Sequence, residues 1–230
     1  MIKKSVLITG SSKGIGASLA LNFSKNNYDI ILHGRDEANL KKIQDKILRN
    51  GVNCDSIKGD IKSYKTIENL YKIAKKRDIS ILINNAGIDH KNSLENTSFK
   101  DIENVLKVNL IAPIKLTKKI YPIFLKKNSG IIININSLDS LKIPEYKSIY
   151  CASKEGLKGF TDSLRFEAKK EGIRVIGIYI GGVKTDTYAR TGKNMTTCME
   201  PSDVSQIVWD ICKPNQSASI ENIIINRVKY

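Results

Sequence analysis

Seven short runs rich in isoleucine and valine, separated by longer amphipathic stretches, constrain the fold of this chain more tightly than any other feature. The runs cover 5–9, 29–33, 53–58, 79–84, 130–135, 174–180 and 222–225. Several are apolar nearly throughout, which is the pattern of parallel strands covered on both faces. Between them Leu40, Ile43, Ile47 and Leu48 recur at helical spacing, as do Ile67, Leu70, Ile73 and Ala74. Each strand-to-strand step leaves room for a crossover helix, so the pattern predicts a doubly wound α/β fold: one parallel sheet with helices on both faces. A length of 230 residues suits a single domain of this kind, and nothing in the sequence reads as a linker or a low-complexity tract.

In such sheets a ligand binds beyond the carboxyl ends of the strands, and the unusual residues of this chain fall there. The first run leads into Gly10-Ser11-Ser12-Lys13-Gly14-Ile15-Gly16 and then a helical pattern. Glycines at that junction permit a tight turn and let backbone N–H groups approach a phosphate at a helix N-terminus, where the dipole favours an anion. The strand–turn–helix context points to a Rossmann-type dinucleotide turn. The same residues also spell Gly10-x-Ser12-x-Gly14, the spacing of a hydrolase nucleophile elbow. That reading lacks an upstream strand and loop for a second oxyanion donor, and neither His33 nor His90 lies late enough to complete a triad. The second run ends at His33-Gly34-Arg35-Asp36. An acidic strand tip bonds the ribose of NAD, whereas an arginine accommodates the extra phosphate of NADP. A neutral tip, Arg35 beside it and Lys13 in the turn predict NADP(H) over NAD(H), with Asp36 placed to cap the next helix.

Tyr150-Cys151-Ala152-Ser153-Lys154 puts a phenol and an ammonium four residues apart on one helix face. An ammonium beside a phenol favours the phenolate and moves its pKa towards the range of an acid/base catalyst. Tyr71 and Lys75 share that spacing but lie mid-helix on a face that reads as solvated. The later pair has company: Ser137 follows the fifth run, thirteen residues earlier, and Asn109 interrupts an apolar helical stripe. Ser137 is placed to hold a substrate oxygen beside the tyrosine; a lone buried Asn109 would ordinarily be satisfied by backbone groups.

The ordered set Thr9-Gly10-x-x-x-Gly14-x-Gly16, Asn84-Asn85-Ala86-Gly87, Asn109, Ser137 and Tyr150-x-x-x-Lys154 resembles the short-chain dehydrogenase/reductase family across essentially the whole chain. The resemblance implies a hydride-transferring oxidoreductase acting on a small carbonyl or secondary alcohol, with Tyr150 as general acid/base and Ser137 positioning the reacting oxygen. It implies that Lys154 tunes the tyrosine and binds the nicotinamide ribose, and that Asn109 helps hold a relay water. Cofactor contacts are implied for Gly10, Ser12, Lys13, Gly14, Ile15, Gly16, Arg35, Asp60, Ile61, Asn85, Ala86, Gly87, Tyr150, Lys154, Val183 and Thr185, and no metal is needed. Gly181-Gly182 stands where the family usually has Pro-Gly, implying a freer nicotinamide wall. The ending Ser219–Arg227 lacks the tail typical of fatty-acid-type reductases and is more similar to the branch acting on small hydroxy acids and other small carbonyls. A 3-oxoacyl-carrier-protein reductase is the alternative within the family. The resemblance also implies a dimer or tetramer, and a short substrate lid at 187–200 containing Tyr188, Arg190, Lys193, Met195 and Met199.

Charge bears on partners. Thirty-eight basic and 23 acidic residues leave a net charge of +15, which raises a non-catalytic nucleotide sensor or nucleic-acid binder as a reading from another class. The cations, such as Lys41, Lys42 and Lys46 or Lys115, Lys118, Lys119 and Lys126, fall on outer helix faces without interleaved aromatics, so a solvated surface is expected and no nucleic-acid partner. Cys54, Cys151, Cys198 and Cys212 form no metal or disulfide pattern, no apolar run is long enough to span a bilayer, and a cytoplasmic location is expected.

Overall fold

The computed structural model describes residues 4–189, 195–213 and 218–228. Among these, strands β1 (Ser5–Ile8), β2 (Asp29–Gly34), β3 (Cys54–Lys58), β4 (Ile81–Asn84), β5 (Gly130–Ser137), β6 (Ile173–Ile180) and β7 (Asn222–Ile225) form one parallel sheet in the order β3-β2-β1-β4-β5-β6-β7. The chain winds outward from β1 to β3, then crosses back and continues from β4 on the other side of β1. The crevice where it reverses, beyond the carboxyl ends of β1 and β4, is where such sheets bind ligands.

Continuous apolar strands follow from two separate cores. Val6, Ile8, Ile30 and Leu32 point to one face, where they meet α1 (Gly14–Lys25), α2 (Glu37–Leu48) and α8 (Pro201–Cys212). Leu7, Ile31 and Leu82 point to the other, against α3 (Tyr64–Lys76), α5 (Ala112–Lys127) and α6 (Ser148–Lys169). Alternate residues of one strand thus enter opposite cores, so neither set can be polar. Leu40, Ile43 and Ile47 are buried as their spacing predicts, but Leu48 is 47% exposed, because it lies one residue round the helix from Ile47 and clear of the sheet.

Two short departures from regular structure matter for the site. Helix α4 (Phe99–Leu106) joins α5 through a π-helical turn at Lys107–Ile111. A 3-10 turn at Leu138–Ser140 follows β5, and α7 (Asp186–Ala189) follows β6. Strand β5 runs two residues further than its apolar run suggests, so Ser137 is itself paired in the sheet, opposite Ile180. No described helix is long and apolar enough to cross a membrane.

Candidate active site

Thr9, just past β1, organises the crevice. Its hydroxyl accepts from the backbone N–H groups of Asn85 and Ala86, both at 3.0 Å, fastening the loop after β4 to the glycine turn. The Asn85 side chain reaches back and donates to the carbonyls of Thr9 (2.8 Å) and Gly10 (3.1 Å). Gly10 adopts φ +65°, and a Cβ there would lie 2.9 Å from Ala86 Cα. A Cβ on Gly16 would lie 2.3 Å from the Gly10 carbonyl oxygen, so the helix start and the turn touch backbone to backbone. Gly14 (φ +58°) faces Thr185 across the cleft, Ile15 packs against the first core, and Ser12 lies under Gly34.

Helix α1 begins without help. Its N-cap, Lys13, makes no side-chain cap and the first turn holds no acid, whereas α2 is capped by Asp36 and α8 by a reciprocal Glu200–Asp203 box. An uncapped N-terminus beside a glycine cradle is the arrangement that fits the pyrophosphate of a dinucleotide. Asp36 accepts from Asn39 N at 3.0 Å, so it serves the helix as expected, while Arg35 is exposed just past the neutral tip of β2. Lys13 is bound to Asp186 at 2.6 Å, bridging the glycine turn to α7. Asp60 accepts from Lys62 N, and Ile61 beside it is buried.

His33 is a member that the sequence marked only as a scarce histidine. It is buried at the end of β2, and its Nδ1 accepts from Gly10 N at 3.3 Å. Burial pulls its pKa down to about 4, with the Gly59 carbonyl and Asp60 opposing and Arg35 reinforcing. A neutral imidazole is therefore part of the turn. Buried Ser11 completes it, accepting from His33 N (2.9 Å) and donating to Ile8 O (2.9 Å).

At the other end of the crevice Ser137, Tyr150, Lys154 and Asn109 converge. Tyr150 and Ser137 interact through their hydroxyls, and Ser137 Oγ also accepts from Asp139 N at 3.1 Å. Burial pushes the Tyr150 phenol up to about 12; Ser137 and Lys147 pull it back, while Asp89 and Asp139 add to the rise. Lys154 is buried, donates to Ile135 O at 3.0 Å, and has its ammonium lowered to about 8 by burial, against Asp89. Lys147, three residues before the tyrosine, is a second lysine beside the phenol and one that pulls it down. Lys147 Nζ sits 4.8 Å from the Tyr150 ring centroid, Lys154 Nζ 5.9 Å.

The π-helical turn presents Asn109, whose Oδ1 accepts from Ile88 N (2.9 Å) and whose Nδ2 donates to Ile88 O (2.9 Å) and Ser153 Oγ (3.1 Å). Its donors are engaged by the protein, so it fixes the backbone at Ile88. A Cβ on Gly87 would fall 3.4 Å from Asn109 Oδ1 and 3.8 Å from Lys154 Nζ, so Gly87 keeps the space between them clear.

The residues after β6 close the side. Val183 is buried and bridges to Met199, and Thr185 Oγ1 accepts from Tyr188 N. The glycine pair expected to be loose is packed. Gly181 N donates into the ladder to Ile225 O at 2.9 Å, which a proline could not do. The Tyr188 ring lies 3.0 Å from where a Cβ on Gly182 would be. Arg190 and Lys193 of the expected lid lie outside the described residues.

Comparison with known proteins accords with this geometry. The short chain dehydrogenase family model matches residues 4–196. This chain belongs to that family. The short-chain dehydrogenase is 28% identical over 235 residues to a protein named sepiapterin reductase from Chlorobaculum tepidum, covering 97% of this chain and 96% of the relative. It is 35% identical over 191 residues to 3-oxoacyl-[acyl-carrier-protein] reductase FabG from Buchnera aphidicola, covering 80% of this chain and 75% of that one. In fold it resembles an alcohol dehydrogenase from Thermococcus sibiricus complexed with 5-hydroxy-NADP, with a TM-score of 0.91 at 21% identity over 99% of this chain and 98% of the other. The short-chain dehydrogenase is therefore an oxidoreductase working with a nicotinamide cofactor.

Proposed function

We propose that this enzyme reduces small carbonyl compounds, and reversibly oxidises the corresponding secondary alcohols, with NADP(H) preferred over NAD(H) and Tyr150 as the general acid/base. The observation that carries the reading is the hydroxyl pair Tyr150–Ser137 at the tip of β5, with Lys154 and Asn109 meeting at Gly87 beside it. A bound nicotinamide supplies or accepts the hydride. Ser137 donates a hydrogen bond to the reacting oxygen, and Tyr150 Oη delivers the proton. A phenol pushed up to about 12 is protonated at neutral pH, which suits proton donation in the reducing direction. Lys154 would hold the nicotinamide ribose of a bound cofactor, and its ammonium beside the Tyr150 ring would restore the phenol's proton, drawing on a relay water between Asn109 Oδ1 and Lys154 Nζ in the space that Gly87 keeps clear. Asn109 positions that water through the Ile88 backbone.

The cofactor end supports a phosphate-bearing adenosine. Asp36 is committed to its helix cap and Arg35 is exposed at a neutral strand tip, so a cation and no free acid meets the ribose. Lys13 joins Arg35 on the phosphate, exchanging Asp186 for it. Asp60 and Ile61 contact the adenine, and Val183 and Thr185 the carboxamide. Replacing Tyr150 by Phe is expected to lower kcat about 10²- to 10⁴-fold with cofactor binding nearly unchanged. Retained turnover on a panel of small ketones would sink the assignment.

A further inference from the structure

Lys147 occupies a costly position. Tyr146, just before it, adopts φ +61°, a left-handed conformation that residues other than glycine seldom hold, with its carbonyl pinned by Asn92 N at 2.8 Å. Lys147 itself stands at the N-cap of α6, where the helix dipole disfavours a cation, and its side chain is buried. These local costs are offset by two carboxylates that arrive from separate loops. Asp89, two residues after Gly87, receives Lys147 Nζ at 2.8 Å; Asp139, two residues after Ser137, receives it at 2.9 Å. The lysine side chain is 10% exposed but the carboxylates are 20% and 27% exposed, so the acids are the accessible part of the cluster.

The cluster is built onto the reacting groups. Lys147 lies against the Tyr150 ring, and the Asp139 N–H is bonded to Ser137 Oγ. Tyr150 lies between two lysines along one helix face, with Lys154 towards Gly87 and Lys147 towards the carboxylates. The cluster itself carries one net negative charge, with Lys154 a further positive charge on the other side of the Tyr150 ring. The charged groups facing this point are Asp89 from the loop after β4, Asp139 from the turn after β5, and Lys147 and Lys154 on α6.

We propose that the Asp89–Lys147–Asp139 cluster sets the charge of the substrate. It excludes compounds with a carboxylate beside the carbonyl, and it takes neutral carbonyl compounds that offer a hydroxyl or amide N–H to the Asp89 and Asp139 oxygens. This rests on the reductase reading above and, of the small hydroxy acids and other small carbonyls that the C-terminal resemblance suggested, selects the neutral carbonyls. The lysine keeps the two acids together and holds the tyrosine ring, so it is a positioning residue.

The test is NADPH-dependent reduction of three matched phenyl ketones: benzoylformate, methyl benzoylformate and α-hydroxyacetophenone. The wild type should favour both neutral ketones over benzoylformate by about tenfold in kcat/KM, the scale of one unit charge acting across a partly solvated site. Asp89→Asn and Asp139→Asn should each raise the benzoylformate-to-ester ratio by about tenfold, chiefly through KM. Lys147→Arg, which keeps the charge but changes the shape, should keep the wild-type ratio, whereas a merely structural role would move the ratio there as much as in the Asn variants. A wild type that reduces benzoylformate as well as the ester, or ratios unmoved in both Asn variants, overturns the charge filter and leaves the reductase reading standing. No NADPH oxidation with any of the three ketones overturns the reductase reading and the filter with it.

Discussion

Between about pH 5 and pH 7 the stability of the fold should depend on pH chiefly through a buried imidazole, His33. In the folded chain burial holds its pKa at about 4, whereas an unfolded histidine titrates near about 6.5. Between those values the unfolded state binds the extra proton, so stability rises with pH and is lost as pH falls. Linkage then gives a loss of about 2 kcal/mol between about pH 7 and pH 5, and about 3 kcal/mol by about pH 4. The carboxylates with depressed values, Asp36, Glu68, Glu103, Asp162 and Asp210, lose their contributions as pH falls below their ordinary range, so the interval above about pH 5 isolates the histidine. Geometry supplies the mechanism, because Nδ1 accepts from Gly10 N and a second ring proton would set donor against donor. The assay is urea denaturation at a series of pH values for the wild type and His33→Gln, whose amide oxygen can still accept from Gly10. The wild type should show the slope and the variant should not. An equal slope in both proteins, or less than about 0.5 kcal/mol lost by the wild type between about pH 7 and pH 5, would refute the reasoning.

Three further outcomes are expected. Gly16→Ala should gain about 1 kcal/mol of helix propensity, yet its Cβ would press on the Gly10 carbonyl at 2.3 Å and on Asn85 at 2.6 Å, so net loss of thermal stability and of NADPH affinity is expected; a stabilised variant would contradict the contact argument. NADPH should protect against thermal unfolding more than NADH, given that a ligand at one hundred times its Kd adds about 2.7 kcal/mol, and Arg35→Ala should erase the difference; equal protection of the wild type by both would remove Arg35 from the phosphate site. The kcat/KM for reduction should fall as pH rises through about 8, where Lys154 gives up its proton, and a flat profile across that range would show that the ammonium is not needed.

Much of this was legible before any coordinates, because the signals were local. The seven apolar runs are continuous for the simple reason that Val6 and Leu7 enter different cores, and the glycine turn announces itself by residues that only a close backbone approach requires. What was hidden depends on partners distant in sequence. Asp89, Asp139 and Lys147 come from three separate segments, and each alone reads as a surface charge. The Lys13–Asp186 bridge spans 173 residues and leaves no periodic trace. The Tyr150–Lys154 spacing placed both side chains near one another, but the burial that raises the phenol comes from the tertiary fold and leaves no mark in that spacing. Ser137 was expected to follow its strand and is instead the strand's last residue, since pairing with β6 continues through two polar positions.

The π-helical turn at Lys107–Ile111 has a consequence for changes in chain length. Such a turn holds one residue more than an α-helix needs for the same hydrogen-bonded closure. Deleting one residue there would restore the α-helical count, but Pro113 at the start of α5 has no N–H to give to a continuous helix. Each residue of an α-helix also turns the chain by about 100°, so the deletion would swing Asn109 away from Ile88 and Ser153, the groups it now holds. The extra residue at this turn is thus tied to the three hydrogen bonds of Asn109, and the chain length here is as constrained as the residue itself.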